Sequence, residues 1–424
     1  MKKFYSVKQN AGQWSFIDVD GKPFYSLGVN CFNYDIGTPM QGKLMEKYGE
    51  EGWYERWAKT KLDEVWGLGY NTLGAWHAQY FMNKKIPKTY EIRCSRLAKH
   101  VNAGWGGYGF PDVFDPLFVS STQDAMVDAY YNKGLNMADD ESLIGVYTDN
   151  ELHWWGTGGQ WGMDDPGEGM DGTNLVEDYI KLPPESYGKK AWVDFLHNRY
   201  ITIEQLNEQW EAEYESFEDL LWLKEYRAAK PVYSKDKLEF LKIIAETYFK
   251  TTTEILRKYD KNHLILGCRL VGTSTPDVVL EIMGKYVDVM SVNYYCFDLP
   301  VVWLRHAHEV TGKPMMITEF SFCAGRSAGF DLITNGAQLV NVRNQKIRGE
   351  SYQKFVTQAA GLPYMVGTHW FALYDFWDRK GLIGNYGLYD KEDQLWSEFT
   401  DAVKVTHREV LIKRMGDNTF PSWR

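Results

Sequence analysis

Cysteine is scarce in this 424-residue chain. There are five, at positions 31, 94, 268, 296 and 323, an odd number with no C-x-x-C pair, so no disulfide framework is written here. Cys31, Cys296 and Cys323 fall near expected strand ends, as do His77 and His369, but on separate strands and without a familiar metal spacing, so small buried residues are expected. No apolar run is long enough to cross a bilayer, and no membrane partner is expected. The opening M-K-K-F-Y-S-V-K-Q-N is basic but has no apolar stretch or cleavage site behind it. A periplasmic or secreted home therefore requires a leader already removed; otherwise the chain is cytoplasmic. Positive charge is also short, with 47 basic against 57 acidic residues and a net charge of -10, which argues against a nucleic-acid partner. Gly104, Gly106, Gly107 and Gly109 do not sit between a strand and a helix as a dinucleotide loop requires, and there is no G-x-S-x-G elbow.

Aromatic residues, by contrast, make up 16% of the chain. Rings with a polar handle pack cores and also make platforms for the apolar faces of sugars. Apolar, strand-length runs alternate with helical periodicity, a pattern that places a parallel sheet between helical layers. The expected strands end near Asn30, His77, Cys94, Thr148, Arg269, Tyr295, Glu319 and Trp370, and eight is the number that closes a barrel. The third, over 90–94, carries the weakest pattern. Helices are expected over 45–66, 121–132 (capped by Ser120 or Ser121), 187–200, 202–212, 238–258, 275–284, 300–311, 332–360 and 395–413. The fold class is therefore α/β, a (β/α)8 TIM barrel forming one domain over 1–424. An N-terminal β-hairpin occupies 1–22, and a long acidic, Gly-rich insertion with helices follows strand four over 156–260.

The stretch I-G-V-Y-T-D-N-E-L-H-W-W, residues 144–155, ends an apolar strand on Asn150 and Glu151; P-M-M-I-T-E-F-S-F, residues 314–322, does the same with Glu319. A carboxylate taken out of water is costly unless paired or put to use. Two of them at strand ends on opposite walls suit glycoside cleavage, in which one group protonates the leaving oxygen and the other attacks. Around this pair, Asn30, Trp76, His77, Asn150, Trp154, Arg269, Tyr295, His369 and Trp370 are the candidate substrate-binding residues. Tyr295 is expected to hold Glu319, while Trp154, Trp155, Trp161 and Trp370 are expected to stack on sugar rings. Between Gly134 and Ile180 there are eleven acids and no Lys or Arg, either a solvated acidic lid or a rim that favours neutral glycans. A structural calcium ion would have to use Asp164, Asp165, Glu168 and Asp171, which do not follow the EF-hand spacing; no other cofactor and no catalytic metal is expected.

These motifs resemble those of the clan of retaining (β/α)8-barrel glycoside hydrolases. Asn150-Glu151 matches its acid/base motif, Ile317-Thr-Glu-Phe320 its nucleophile strand, Val292-Asn-Tyr-Tyr295 its strand-six tyrosine and Gly367-Thr-His-Trp-Phe371 its strand-eight segment. Within the clan the chain is most similar to the exo-acting β-agarase group and, further off, to thermophile-type β-galactosidases. The shared stretches are Asp112-Val-Phe-Asp-Pro, Tyr147-Thr-Asp-Asn-Glu-Leu, residues 200–210 and His369-Trp-Phe-Ala-Leu-Tyr-Asp375. Agarases of that group usually carry a further N-terminal β-domain, and the β-galactosidases further small domains; neither is written here. The resemblance implies Glu319 as nucleophile and Glu151 as acid/base, with carboxyl groups about 5–5.5 Å apart. It also implies exo-action on a β-linked galactose-containing oligo- or polysaccharide. A β-glucan or β-mannan hydrolase of the same clan, or a catalytically inactive glycan-binding barrel, is the alternative.

Overall fold

The computed structural model describes residues 2–104, 109–132, 136–158, 172–225, 231–330, 340–378 and 382–416. A small antiparallel sheet opens the chain, formed by β1 (Ser6–Asn10), β2 (Gln13–Ile17) and β3 (Pro23–Phe24). β1 and β2 form a hairpin, and β3 adds a third strand through the Asp20-Gly21 turn. In that turn the Asp18 carboxylate accepts from the backbone N–H of Asp20 (2.9 Å) and Lys22 (2.8 Å), while Gly21 takes φ 83°.

The centre of the molecule is a curled parallel sheet. Its strands are β4 (Ser26–Val29), β5 (Thr72–Leu73), β6 (Lys88–Glu91), β7 (Leu143–Tyr147), β8 (Leu264–Ile265), β9 (Leu270–Val271), β10 (Met290–Asn293) and β11 (Met315–Phe320). A short outlying pair follows, β12 (Phe322–Cys323) with β13 (Val340–Asn341), before the last member, β14 (Met365–Trp370). The order across the nine-stranded sheet is β8-β7-β6-β5-β4-β14-β11-β10-β9. Nearly every residue of these strands is buried, as expected for parallel strands covered on both faces.

The two outermost strands are separated in the chain only by residues 266–269. One continuous strand was expected over 263–269; it is interrupted because Gly267 (φ 82°) and Arg269 (φ 50°) both take left-handed backbone. The segment bonds on both sides nonetheless. The N–H of Leu266 donates to Val146 O (2.9 Å) and Gly267 O accepts from the Thr148 N–H (3.0 Å), while the Arg269 N–H donates to Ser291 Oγ of β10 (3.0 Å).

The helices are α1 (Gln41–Tyr48), α2 (Trp53–Trp66), α3 (Pro116–Val127), α4 (Asn174–Ile180), α5 (Tyr187–Tyr200), α6 (Ile203–Trp210), α7 (Pro231–Tyr259), α8 (Asp277–Tyr286), α9 (Val301–Thr311), α10 (Gln345–Gly361) and α11 (Ser397–Met415). Three expectations are corrected. The single helix over 45–66 is two, broken where Gly49 and Gly52 take positive φ. The helix expected from Ser121 starts at Pro116, because Asp115 rather than a serine caps it, accepting from the Leu117 N–H at 2.9 Å with proline in the first turn. The third strand runs over Lys88–Glu91 rather than 90–94, so Glu91 is the residue at its end. No helix among the described residues is long and apolar enough to cross a membrane.

Candidate active site

A row of strained residues marks one end of the sheet. Cys31 follows β4, Trp76 follows β5, Arg93 follows β6, Glu151 follows β7 and Arg269 precedes β9; all have φ between 50° and 68°. Left-handed backbone in non-glycine residues costs on the order of 1 kcal/mol or more and persists only where surrounding structure enforces it. The strain has a use at Glu151. Consecutive residues of a strand point to opposite faces, but the turn at Glu151 brings its side chain and that of Asn150 to the same donor. Asn293 Nδ2 donates to Glu151 Oε1 (2.9 Å) and lies 3.3 Å from Asn150 Oδ1.

Glu319 stands on β11 beside this pair. The guanidinium of Arg269 binds Glu319 Oε1, and the Tyr295 hydroxyl donates to Oε2. Arg269, fully buried, also donates from Nε to Asn150 Oδ1 (2.7 Å), and its guanidinium packs over the rings of Trp76 (4.9 Å) and Tyr147 (4.8 Å). Asn293 is fixed in turn by Thr318, whose hydroxyl donates to Asn293 Oδ1 at 2.7 Å. The sequence-expected residues Asn150, Glu151, Arg269, Tyr295 and Glu319 thus form one hydrogen-bonded network with Asn293.

The two carboxyl groups sit in unlike surroundings. Burial, reinforced by the charge of Glu319, pushes Glu151 up to about 8, against the opposing pull of the Asn293 amide and Arg269. Glu319 receives two strong donors. Burial and the charges of Glu319 and Glu151 raise the Tyr295 phenol, which therefore stays a donor across the working range. A third acid, Glu91 at the end of β6, accepts from the Trp76 indole and adds to the upward pressure on Glu151. Asp149, one residue before this pair, is held apart by Ser95 (2.9 Å) and Tyr248 (2.6 Å).

Several expected substrate contacts are corrected. Trp370 is fully buried beneath α10 and α11, its ring 5.4 Å from Tyr352 and 5.0 Å from Phe399, so it is core. Trp154 is likewise enclosed, stacked on Phe249 at 5.4 Å and edge-on to Phe110 at 4.7 Å. Trp155 is buried and stacks on His153 at 4.8 Å. His369 lies inside the sheet with Nε2 2.8 Å from Ser26 Oγ, and burial holds its pKa well below the usual value. A Cβ on Gly28 would meet that imidazole at 2.3 Å, so β4 needs glycine there. Asn30 is a tie between strands: its Nδ2 donates to Thr318 O (2.8 Å) and its Oδ1 accepts from the Ala75 N–H (2.9 Å). His77 is pushed down to about 4 by burial and by Lys88, and its Nδ1 contacts the neighbouring Ala78 carbonyl. Trp161 and the suggested calcium ligands Asp164, Asp165, Glu168 and Asp171 lie outside the described residues.

Three residues were missed. Asn293 stood within the strand-six motif but drew no role beside Tyr295. Glu91 ends a strand that starts two residues before the expected one, and so falls inside the expected strand and not at its end. Phe371 occupies the place expected for Trp370, with its ring edge-on to Tyr295 (6.3 Å) and Trp76 (6.4 Å). The period-two rule would have found it: His369 faces inward, so Trp370 must face out and Phe371 in again. Truncation of Trp370 to Ala should therefore cost about 3–5 kcal/mol of stability, read from chemical denaturation, while KM of the folded fraction stays unchanged. A raised KM with unchanged stability would return Trp370 to the sugar site.

No family model matches the chain. β-Agarase B of Vibrio sp. (strain JT0107) is 29% identical to it over 97% of this chain and 48% of its own length, and β-agarase A of the same strain is 27% identical over 95% and 45%. The chain spans about half the length of these curated relatives. Among solved structures, the agarase AgWH50C superposes with a TM-score of 0.82 at 23% identity, covering 97% of this chain and 66% of its own. An exo-β-agarase superposes at 0.82 and 21%, covering 98% and 66%. Along nearly its whole length, then, this chain is similar in sequence to the β-agarases and in fold to solved agarases.

Proposed function

We propose that this protein is a retaining O-glycosyl hydrolase that cleaves β-linked galactose-containing glycans of the agarose type, acting from a chain end. The observation that carries the reading is the unlike setting of two buried carboxyl groups. Glu151, near 8, still holds its proton at neutral pH and is suited to protonate the leaving oxygen, whereas Glu319 is gripped by a guanidinium and a phenol and is suited to attack the anomeric carbon. In the first step Glu319 bonds to the anomeric carbon as Glu151 gives its proton to the departing sugar. In the second, Glu151 takes a proton from water, whose oxygen displaces Glu319. Asn293 keeps Glu151 in place and is itself held by Asn150 and Thr318, and Trp76 and Phe371 offer rings near the pair.

The curled sheet is read here as a closed (β/α)8 barrel within one domain. Support comes from β8 and β9, the two ends of the sheet order, which flank residues 266–269 and bond to β7 and β10 respectively. The segment 156–260, containing α4 to α7, is the insertion after strand four. Its acids and those just before it disfavour heavily sulfated chains at short range, within a Debye length of about 8 Å at physiological salt. The relatives named β-agarase agree with the substrate class.

Digestion of a long neutral agar-type galactan tests the reading directly. Mono- or disaccharides released with little early loss of viscosity, and first formed with the anomeric configuration of the substrate, are the expected result. Fast thinning with intermediate oligosaccharides would overturn end-on action, and inverted product would overturn retention. The pH dependence is a second check. On substrates with poor leaving groups, kcat/KM should fall as pH rises through about 8, where Glu151 loses the proton it must donate. Stability moves the same way. The folded value of Glu151 lies above its ordinary 4.5, so its contribution is full below that value and is lost as pH climbs through 8.

A further inference from the structure

The loops that leave β4 and β5, with the start of α2, border an open pocket of about 570 Å³, lined by Asn33, Tyr34, Tyr54, Gln79, Tyr80 and Asn83, none of them in the Glu151–Glu319 network. That volume lies within the range of small-molecule sites, roughly 300–1,000 Å³. Both loops rise from the end of the sheet that carries Asn30 and Trp76, and they are bonded together where the Ala78 N–H donates to Phe32 O at 2.9 Å. The floor is rigid. Phe32 is fully buried and meets Phe81 edge-on at 5.2 Å, while Trp57 stacks on Tyr54 at 5.8 Å.

The lining combines rings and carboxamides. Tyr34 meets Tyr54 edge-on at 5.4 Å, and Tyr54 meets Tyr80 at 5.6 Å, making a stepped aromatic wall of half-buried tyrosines. The Tyr54 hydroxyl accepts from the Tyr80 N–H at 3.3 Å, which leaves its own proton to donate elsewhere. Around this wall stand the side chains of Asn33, Gln79 and Asn83, each offering both a donor and an acceptor. Charge is balanced, with Asp35 and Lys84 the charged residues of the lining.

Two other ligand classes fit poorly. Three tyrosines invite comparison with a cage for an organic cation, but the Lys84 ammonium already sits 4.6 Å from the Tyr80 ring centre and would repel one. An anion would meet Asp35 as well as Lys84, with no arginine in the lining to hold it. A ligand with an apolar face for the rings and neutral hydroxyls for the carboxamides suits the wall, and a sugar ring has both. Resting on the glycan-hydrolase reading above, we infer that this pocket is a second saccharide site, distinct from the Glu151–Glu319 pair, that binds a neutral unit of an oligosaccharide.

The test uses the full chain carrying Glu151→Gln, which removes the leaving-group acid so that ligand survives a titration. Neutral agar-type hexasaccharide is titrated by calorimetry into this protein and into versions that also carry Tyr80→Ala or Asn83→Ala. Loss of affinity of about tenfold on removing Tyr80 is expected, the scale of a contributing interface tyrosine, with a smaller loss for Asn83. Affinities within twofold of the parent in both would overturn the site. If Tyr80→Ala lowers the melting temperature, the exposed Asn83 decides the matter alone. Hydrolysis of an aryl β-galactoside by the unmutated protein reports separately on the reaction, so the reaction and the second site can fail independently.

Discussion

Replacing Glu319 with Gln should lower kcat by about 10⁴-fold or more, the scale associated with losing a covalent nucleophile, and should also cost stability, because it strands the buried charge of Arg269. The amide keeps the shape of the side chain but cannot attack, and it carries no charge for Arg269 to bind. Replacing Glu151 with Ala has a different signature. The loss should be about 10²–10⁴-fold on substrates with poor leaving groups and far smaller on activated aryl glycosides, whose departure needs no proton. Azide should restore the Glu151 variant by entering the space left by the carboxyl group and attacking the glycosyl-enzyme, giving a glycosyl azide that retains configuration. Azide of retained configuration from the Glu319 variant, with inverted azide from the Glu151 variant, would exchange the two roles. A protein that stayed fully active without Glu319 would remove that residue from the role of nucleophile.

Arg269 should be the most expensive single side chain to delete. It is completely buried and joins Glu319 to Asn150, so Arg269→Met leaves a carboxylate that is only 4% exposed facing an apolar neighbour. Breaking a buried ion pair from one side typically costs about 3–5 kcal/mol. Denaturant midpoints should fall accordingly, and activity should fall even where the protein remains folded. Lysine is not a rescue, since a point charge cannot reproduce the two-directional contact of the guanidinium. The double variant Arg269→Met with Glu319→Gln should regain part of the lost stability, because the stranded charge is gone. If the single change costs less than about 1 kcal/mol, as exposed pairs do, the network contributes little to the fold.

Much of this arrangement could be read before any coordinates. β7, β11 and β14 lie within a residue of where their apolar runs place them, since buried parallel strands are written as such runs. Glu151 and Glu319 stood out for the same reason: each interrupts an apolar run with a charge. What was not legible depends on backbone sign and on facing. Nothing in Gly267-Cys-Arg269 announces that two of the three residues turn left-handed, yet that turn is what aims Arg269 at Glu319. Trp370 looked like a platform because of its type, whereas its position in the strand sends it under α10 and α11. Capping misled in the same way at α3, where Ser120 and Ser121 competed with an Asp115-Pro116 signal that proved stronger.

The short strands β8 and β9 also bear on how the molecule behaves in a crowded solution. An exposed sheet edge is a template on which another chain can add a strand, and the hazard grows with its length and flatness. Here the two ends of the nine-stranded sheet are only two residues each, both fully enclosed, and the segment between them is bent by left-handed turns. At these two strands a wandering strand would find no row of idle amides and carbonyls long enough to register against. The same break that swings a guanidinium toward a carboxylate thus also leaves the large sheet little edge for another chain to extend.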